Sequence, residues 1–170
     1  MAEAPQNIAV RALEPGDHAR VLDIYNHYIK HSPCTFDTQP FSLAARVPWF
    51  AQFEHPLYAC LVAIDGQQVL GYASCTRFKE KPAYSTSAEV SIYIHPDHQA
   101  AGVGSALYRQ LCTFMAGTPL HRAYAGITLP NAGSVALHEK FGFRQVGRYT
   151  EVGYKFDRYW DVAWYEKPLI

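Results

Sequence analysis

A chain of 170 residues that is 49% hydrophobic carries enough apolar material for one core of ordinary size, so neither disulfides nor a structural metal is needed to hold it together. Fifteen basic residues balance fifteen acidic ones, and this zero net charge gives no global field that would draw nucleic acid or an anionic membrane surface. Any anionic ligand has to be held locally.

Met1 to Asn7 has neither the basic start nor the apolar stretch of a signal peptide. Ile8–Leu13 alternates weakly as a first strand, and Pro15-Gly16-Asp17 ends it and offers Asp17 as a helix cap. In the helix that follows, Val21, Ile24, Tyr25, Tyr28 and Ile29 form one apolar stripe, ending near Ser32-Pro33. Ser42 is predicted to cap a second helix reaching Phe53, which Pro48 should kink or restart. Tyr58–Ile64 and Gln68–Phe78 suit strands, and Asp65-Gly66 between them is a hairpin signal.

Beyond a polar stretch from Lys79 to Ser87, Ala88–Ile94 reads as a strand stopped by His95-Pro96. Gly102–Met115 reads as a helix, with Val103, Leu107, Leu111 and Phe114 on one face. Ala123–Leu129 is a further strand and Ala132–Phe141 a further helix, with Phe143–Gly147 and Trp160–Glu166 as late strands. This is an α/β order with most strands in a central sheet. No repeat, low-complexity run or linker divides it, so 1–170 is read as a single domain. Cys34, Cys60, Cys75 and Cys112 form no C-x-x-C pair and are read as buried or incidental thiols. No apolar run approaches membrane length, so the expected setting is the cytoplasm.

The segment from Gln99 to Gly104 follows a strand directly and opens a helix. Its glycines, Gly102 and Gly104, let backbone N–H groups approach a pyrophosphate at the positive end of the helix dipole. A tight strand-to-helix turn would use the same glycines, so the pattern alone is weak. The triphosphate loop G-x-x-x-x-G-K-[ST] is absent, and Leu107 stands where the dinucleotide fingerprint has its third glycine.

The whole run from Ala88 to Leu107 resembles the acetyl-CoA motif of the GNAT acetyltransferase superfamily. Downstream, Asn131, Ala136, His138 and Gly142-Phe143 resemble that superfamily's next strand-and-helix motif. The runs Ile24 to Ile29, Lys79 to Glu89 and Gly153 to Asp161 narrow the resemblance to the phosphinothricin N-acetyltransferase family and extend it over nearly the whole chain. Ala100 and Ala101 depart from the pattern, which commonly has a small and a basic residue there. Backbone donors are then left to hold the pyrophosphate.

The resemblance implies a GNAT fold: a mixed, mostly antiparallel central sheet flanked by helices. It implies acetyl-CoA as co-substrate, with Ile92, Tyr93 and Ile94 pairing with the pantetheine arm, Ala100, Ala101, Gly102, Val103, Gly104 and Ser105 around the pyrophosphate, and Asn131 holding the cofactor from the next strand's end. An extended amide chain can borrow unpaired strand hydrogen bonds, and core packing is the plainer reading of Ile92 and Ile94. Acyl transfer to an amine needs a general base, because alkyl amines are protonated near neutral pH. Glu89 matches the family's proposed base, and His138 stands where many relatives have a tyrosine that protonates the departing thiolate. Histidine can act as acid or base, and packing is an equal alternative.

Tyr28, Phe36, Phe78, Lys79 and Tyr84 fall in segments expected near the amine, and Arg77 or Lys79 could pair with a substrate carboxylate. His95 and His98 flank Pro96 in a turn, with no third ligand near in sequence, so no metal is expected. The aromatic run Tyr149 to Trp164 suggests a homodimer face. The implied activity is acetylation of the α-amino group of a small amino acid or analogue, of the phosphinothricin, methionine sulfoximine or methionine sulfone type. The alternatives are a protein or peptide N-acetyltransferase and a non-catalytic acyl-CoA-responsive module.

Overall fold

The computed structural model describes residues 7–99 and 101–169. Its main elements in chain order are β1 (Ala9–Ala12), α1 (His18–His31), α2 (Leu43–Ala51), β2 (Ala59–Asp65), β3 (Gln68–Arg77), β4 (Ser87–Ile94), α3 (Val103–Ala116), β5 (Arg122–Leu129), α4 (Ala132–Lys140), β6 (Arg144–Lys155) and β7 (Arg158–Pro168). The strands form one seven-stranded sheet in the order β1-β2-β3-β4-β5-β7-β6. Every neighbouring pair is antiparallel except β4 and β5.

Strand alternation sends side chains to two faces, and each face has its own core. On one face Leu107, Leu111 and Met115 of α3 cover Val90, Ala123, Ala125 and Ile127. On the other, Val21, Ile24, Tyr25 and Ile29 of α1, with Phe50 of α2, cover Cys60, Val62, Val69 and Tyr72. The helical stripe of α1 is therefore the one its spacing predicts. Its expected cap is different: the Asp17 carboxylate takes a bidentate contact from Arg11 (2.6 and 3.0 Å) and accepts from the Glu14 N–H (2.8 Å), leaving no side-chain cap on α1. The Arg11 guanidinium holds that carboxyl below the usual range.

Ser42 caps α2, its hydroxyl accepting from the Ala45 N–H at 3.2 Å. The helix runs through Pro48 and passes into a 3-10 turn at Gln52–Glu54. The β2–β3 hairpin turns on Gly66 with φ of +58°, a conformation glycine adopts without steric penalty. The last two strands are much longer than predicted and make a hairpin whose outer part carries exposed Tyr149, Val152, Tyr154, Phe156 and Tyr159. All four cysteines are free, and no helix among the described residues is long and apolar enough to cross a membrane.

Candidate active site

The site begins where the parallel pair comes apart. β4 and β5 are in register from Ser87↔Arg122 to Glu89↔Tyr124, and their pairing ends at that rung. From Val90 to Ile94, β4 pairs with β3 on one side only. Its other edge faces a cavity of about 830 Å3, lined on one side by Ile92, Tyr93 and Ile94 and on the other by Gly126, Ile127 and Thr128. Backbone groups of a strand are obligatory hydrogen-bonding groups, so this internal edge suits an extended amide chain.

The turn into α3 stands on the same cavity. Gly102 has φ of +82° and no side chain caps the helix, so its first N–H groups have no intrahelical partner. Gly102, Val103, Gly104 and Ser105 all line the cavity. A Cβ at Gly104 would lie 3.1 Å from Leu137 of α4, so this glycine allows the close approach of the two helices. Asn131 caps α4, its side-chain oxygen accepting from the Ser134 N–H at 3.1 Å, and it also lines the cavity. The Tyr28 hydroxyl donates to the Ile94 carbonyl, and the Gln99 amide donates to Tyr28 at 2.9 Å.

Glu89 lies on the last paired rung, half-buried, on the same face of β4 as Ser91 and Tyr93. Burial raises its carboxyl above the usual range, as suits a base working near neutrality. Beside it on the sheet, Tyr124 stacks on Phe78 with ring centroids 4.5 Å apart, and Tyr84 and Trp164 meet Phe78 edge-on at 5.8 and 6.1 Å. The Lys79 ammonium stands 5.1 Å from the Phe78 ring and 5.4 Å from that of Tyr84. An aromatic wall with a cation on it suits a small anionic molecule with an apolar stem.

His138 is buried on the cavity wall. Its Nδ1 is 2.7 Å from the Ser134 carbonyl, which can only accept, so Nδ1 carries the proton. Nε2 then accepts from the Tyr108 hydroxyl at 2.7 Å. Desolvation lowers the imidazole pKa and keeps the ring neutral.

The profile of the acetyltransferase (GNAT) family matches residues 21–143. The chain belongs to this family. It is 48% identical to a phosphinothricin N-acetyltransferase of Streptomyces coelicolor, across 95% of this chain and 96% of that one. It is 31% identical to an L-methionine sulfoximine/L-methionine sulfone acetyltransferase of Pseudomonas aeruginosa, across 95% and 94%. Among solved structures, a GNAT superfamily phosphinothricin acetyltransferase from Sinorhizobium meliloti in complex with acetyl-CoA superposes with a TM-score of 0.90 at 28% identity, covering 95% of this chain and 88% of that one. The GNAT fold expected from the sequence is thus present, and the chain is an acetyl-CoA-dependent N-acetyltransferase.

Within this acetyltransferase the residues expected from the sequence are distributed unevenly. Tyr28, Ile92, Tyr93, Ile94, Gly102, Val103, Gly104, Ser105, Asn131 and His138 share the cavity wall, and Ala101 borders it in the same turn. Ala100 lies outside the described residues. Arg77 is not brought to the site: it sits on the opposite face of β3 from Thr76, the partner of Glu89, and pairs with Glu80 at 2.9 Å. Phe36 lies apart from the cavity wall, over Gly153. Sequence reasoning missed Tyr124 and Trp164, which alternation along β5 and β7 places on Glu89's face. It also missed Lys140, whose ammonium donates to the Ser105 hydroxyl at 2.9 Å and so brings a positive charge to the turn that lacks one.

Proposed function

We propose that this enzyme acetylates the α-amino group of a small amino acid or amino-acid analogue, of the phosphinothricin, methionine sulfoximine or methionine sulfone type. The observation that carries this reading is the position of Glu89. A carboxylate of raised pKa stands on the rung where β4 and β5 part, next along the strand to Val90 and Ser91 of the cavity wall and paired in register with Tyr124 of the aromatic cluster that bears Lys79. The names of the similar enzymes favour the same substrates.

Acetyl-CoA supplies the activated acyl group when bound. Toward it, Ile92, Tyr93 and Ile94 offer the free edge of β4, and Ala101 to Ser105 offer N–H donors and the α3 dipole to the pyrophosphate, with Asn131 on the same cavity wall. Glu89 takes the amine proton, directly or through water, so that the amine attacks the thioester carbonyl. A backbone N–H of β4 polarises that carbonyl. Collapse of the tetrahedral adduct breaks the C–S bond and releases CoA as the thiolate, which takes up the second proton of the attacking nitrogen. His138 relays it, its Nε2 accepting that proton as it gives up the Tyr108 hydroxyl and then passing it to sulfur. Phe78, Tyr84 and Tyr124 pack the amine's apolar stem, and Lys79 pairs with its carboxylate or phosphinate. Tyr28 sets the strand edge through Ile94, and Phe36, over Gly153, belongs to the loop whose Ser32, Pro33 and Cys34 line the cavity. No metal enters this scheme.

The enzyme is further proposed to work in the cytoplasm as one domain, and as a homodimer through the exposed aromatic side chains of β6 and β7. The test is release of free CoA thiol, with product mass, over a panel of amino acids and analogues. Turnover of the phosphinothricin-like members is expected, and Glu89→Gln should lower kcat/KM by about a hundredfold or more, the usual contribution of a general base. Binding of acetyl-CoA with no turnover of any amine would overturn the reading.

A further inference from the structure

Lys155 is the last residue of β6, at the edge of the sheet opposite β1, and only 6% of its surface is exposed. Among the described residues its ammonium donates to no carboxylate. It donates instead to two main-chain carbonyls of the loop that follows α1, Ser32 at 2.8 Å and Thr35 at 2.7 Å. Desolvation lowers its pKa, against the opposing pull of Cys34 and Asp37. A buried ammonium is retained only where its donors are satisfied. Two residues earlier, Gly153 lies under the Phe36 ring, whose atoms stand 2.2 Å from where a Cβ would be. The same loop is held from its other side by α1: the Tyr25 hydroxyl donates to Asp37 and lies 2.8 Å from the Thr35 hydroxyl.

The topology gives these contacts their meaning. α1 packs on β3 and β4, whereas β6 belongs to the half of the sheet that continues from β5. The two halves part beyond Glu89, and the contacts of Lys155 and Gly153 cross that parting. Ser32, Pro33 and Cys34 of the held loop line the cavity.

We infer that Lys155 and Gly153 form a clasp across the parted sheet that positions the Ser32–Asp37 loop and so fixes the wall that Ser32, Pro33 and Cys34 give to the cavity assigned to acetyl-CoA. Lys155 is a positioning residue: it touches the loop and not the reacting atoms. The inference rests on the acetyl-CoA reading of the cavity above for its binding consequence, and on the loop geometry alone for its structural one.

The experiment compares the full-length enzyme with Lys155→Met, Gly153→Ala and the pair Lys155→Met/Phe36→Ala. Lys155→Met is expected to raise the Kd for acetyl-CoA about tenfold, the scale of one lost charge-assisted hydrogen bond. Gly153→Ala should raise the same Kd, because Phe36 has to leave its place. Adding Phe36→Ala to Lys155→Met should raise the Kd by less than the product of the two single effects, since both act through one loop. Amide hydrogen exchange at Cys34 to Asp37 should quicken in Lys155→Met with no amine or cofactor present. A folded Lys155→Met with unchanged acetyl-CoA Kd overturns the clasp, as does unchanged exchange at the loop. If Lys155→Met does not fold, Gly153→Ala decides in the same terms. Should the native enzyme turn over no amine, the function falls and exchange still judges the clasp.

Discussion

Glu89 owes its raised pKa to burial alone, which makes its chemistry and its stability two sides of one quantity. Only the deprotonated form can take the amine proton, so activity should fall as pH drops through the raised value. A plot of kcat/KM against pH is expected to show its acid limb above the ordinary carboxylate range of about 4.3, and Glu89→Gln should remove that limb. The stability effect has the opposite sense. A carboxyl whose pKa is raised on folding favours the folded state below its unfolded value, and that contribution is lost as pH rises through the folded value. At pH 7 the charged Glu89 is therefore a burden, so Glu89→Gln should melt at a higher temperature than the native enzyme even as its rate collapses. A lower melting temperature would mean that the carboxylate is held by favourable contacts. Glu89 was legible because it sits in a motif. Tyr124 and Trp164 were not: each also fits the alternation of an ordinary buried strand, and only the register between β5 and β7 shows that they share Glu89's face.

The turn before α3 joins local sequence to cofactor binding, and its two glycines act for different physical reasons. Gly102 needs its positive φ, and Gly104 needs the space that Leu137 would contest. Gly102→Val and Gly104→Val should each raise the Kd for acetyl-CoA by about tenfold or more, because non-glycine residues resist the left-handed region and a bulkier side chain moves the donors. Lys140→Met should raise it by only about two- to fivefold, as expected for a solvent-exposed charge. Calorimetry on the three variants ranks them, and a turn indifferent to both valines would contradict a main-chain cradle. Among the elements, α1 and α3 were readable because an apolar stripe at a period of 3.6 buries one face of a helix and would be split between the two faces of a strand. The β6–β7 hairpin was not. Glu151 has φ of +52° at a break in register, and the turn is made by Phe156 and Asp157, both at positive φ without a glycine to announce it.

Across the whole molecule, cofactor binding and folding should be linked. A ligand bound only by the folded chain adds about 2.7 kcal/mol of stability at a hundred times its Kd, so acetyl-CoA should raise the melting temperature by several degrees. The Gly104→Val enzyme should need correspondingly more acetyl-CoA for the same rise. Association is a separate test. Light scattering should give twice the chain mass for the native enzyme, and Tyr154→Asp with Tyr159→Asp should shift it toward the single chain, because both tyrosines are 59% exposed on the face proposed to pair. The sequence could suggest such a face from its aromatic density but not its extent, since the long hairpin that displays it was hidden. The parted sheet has one further mechanical consequence. Two half-sheets joined by the β4–β5 rungs at one end and tied by the Lys155 contacts at the other form a frame braced at both ends. Glu89 stands on the final rung, at one brace of that frame. The proton acceptor thus has its footing in hydrogen-bonded sheet, and the opening that the cofactor enters lies beyond it.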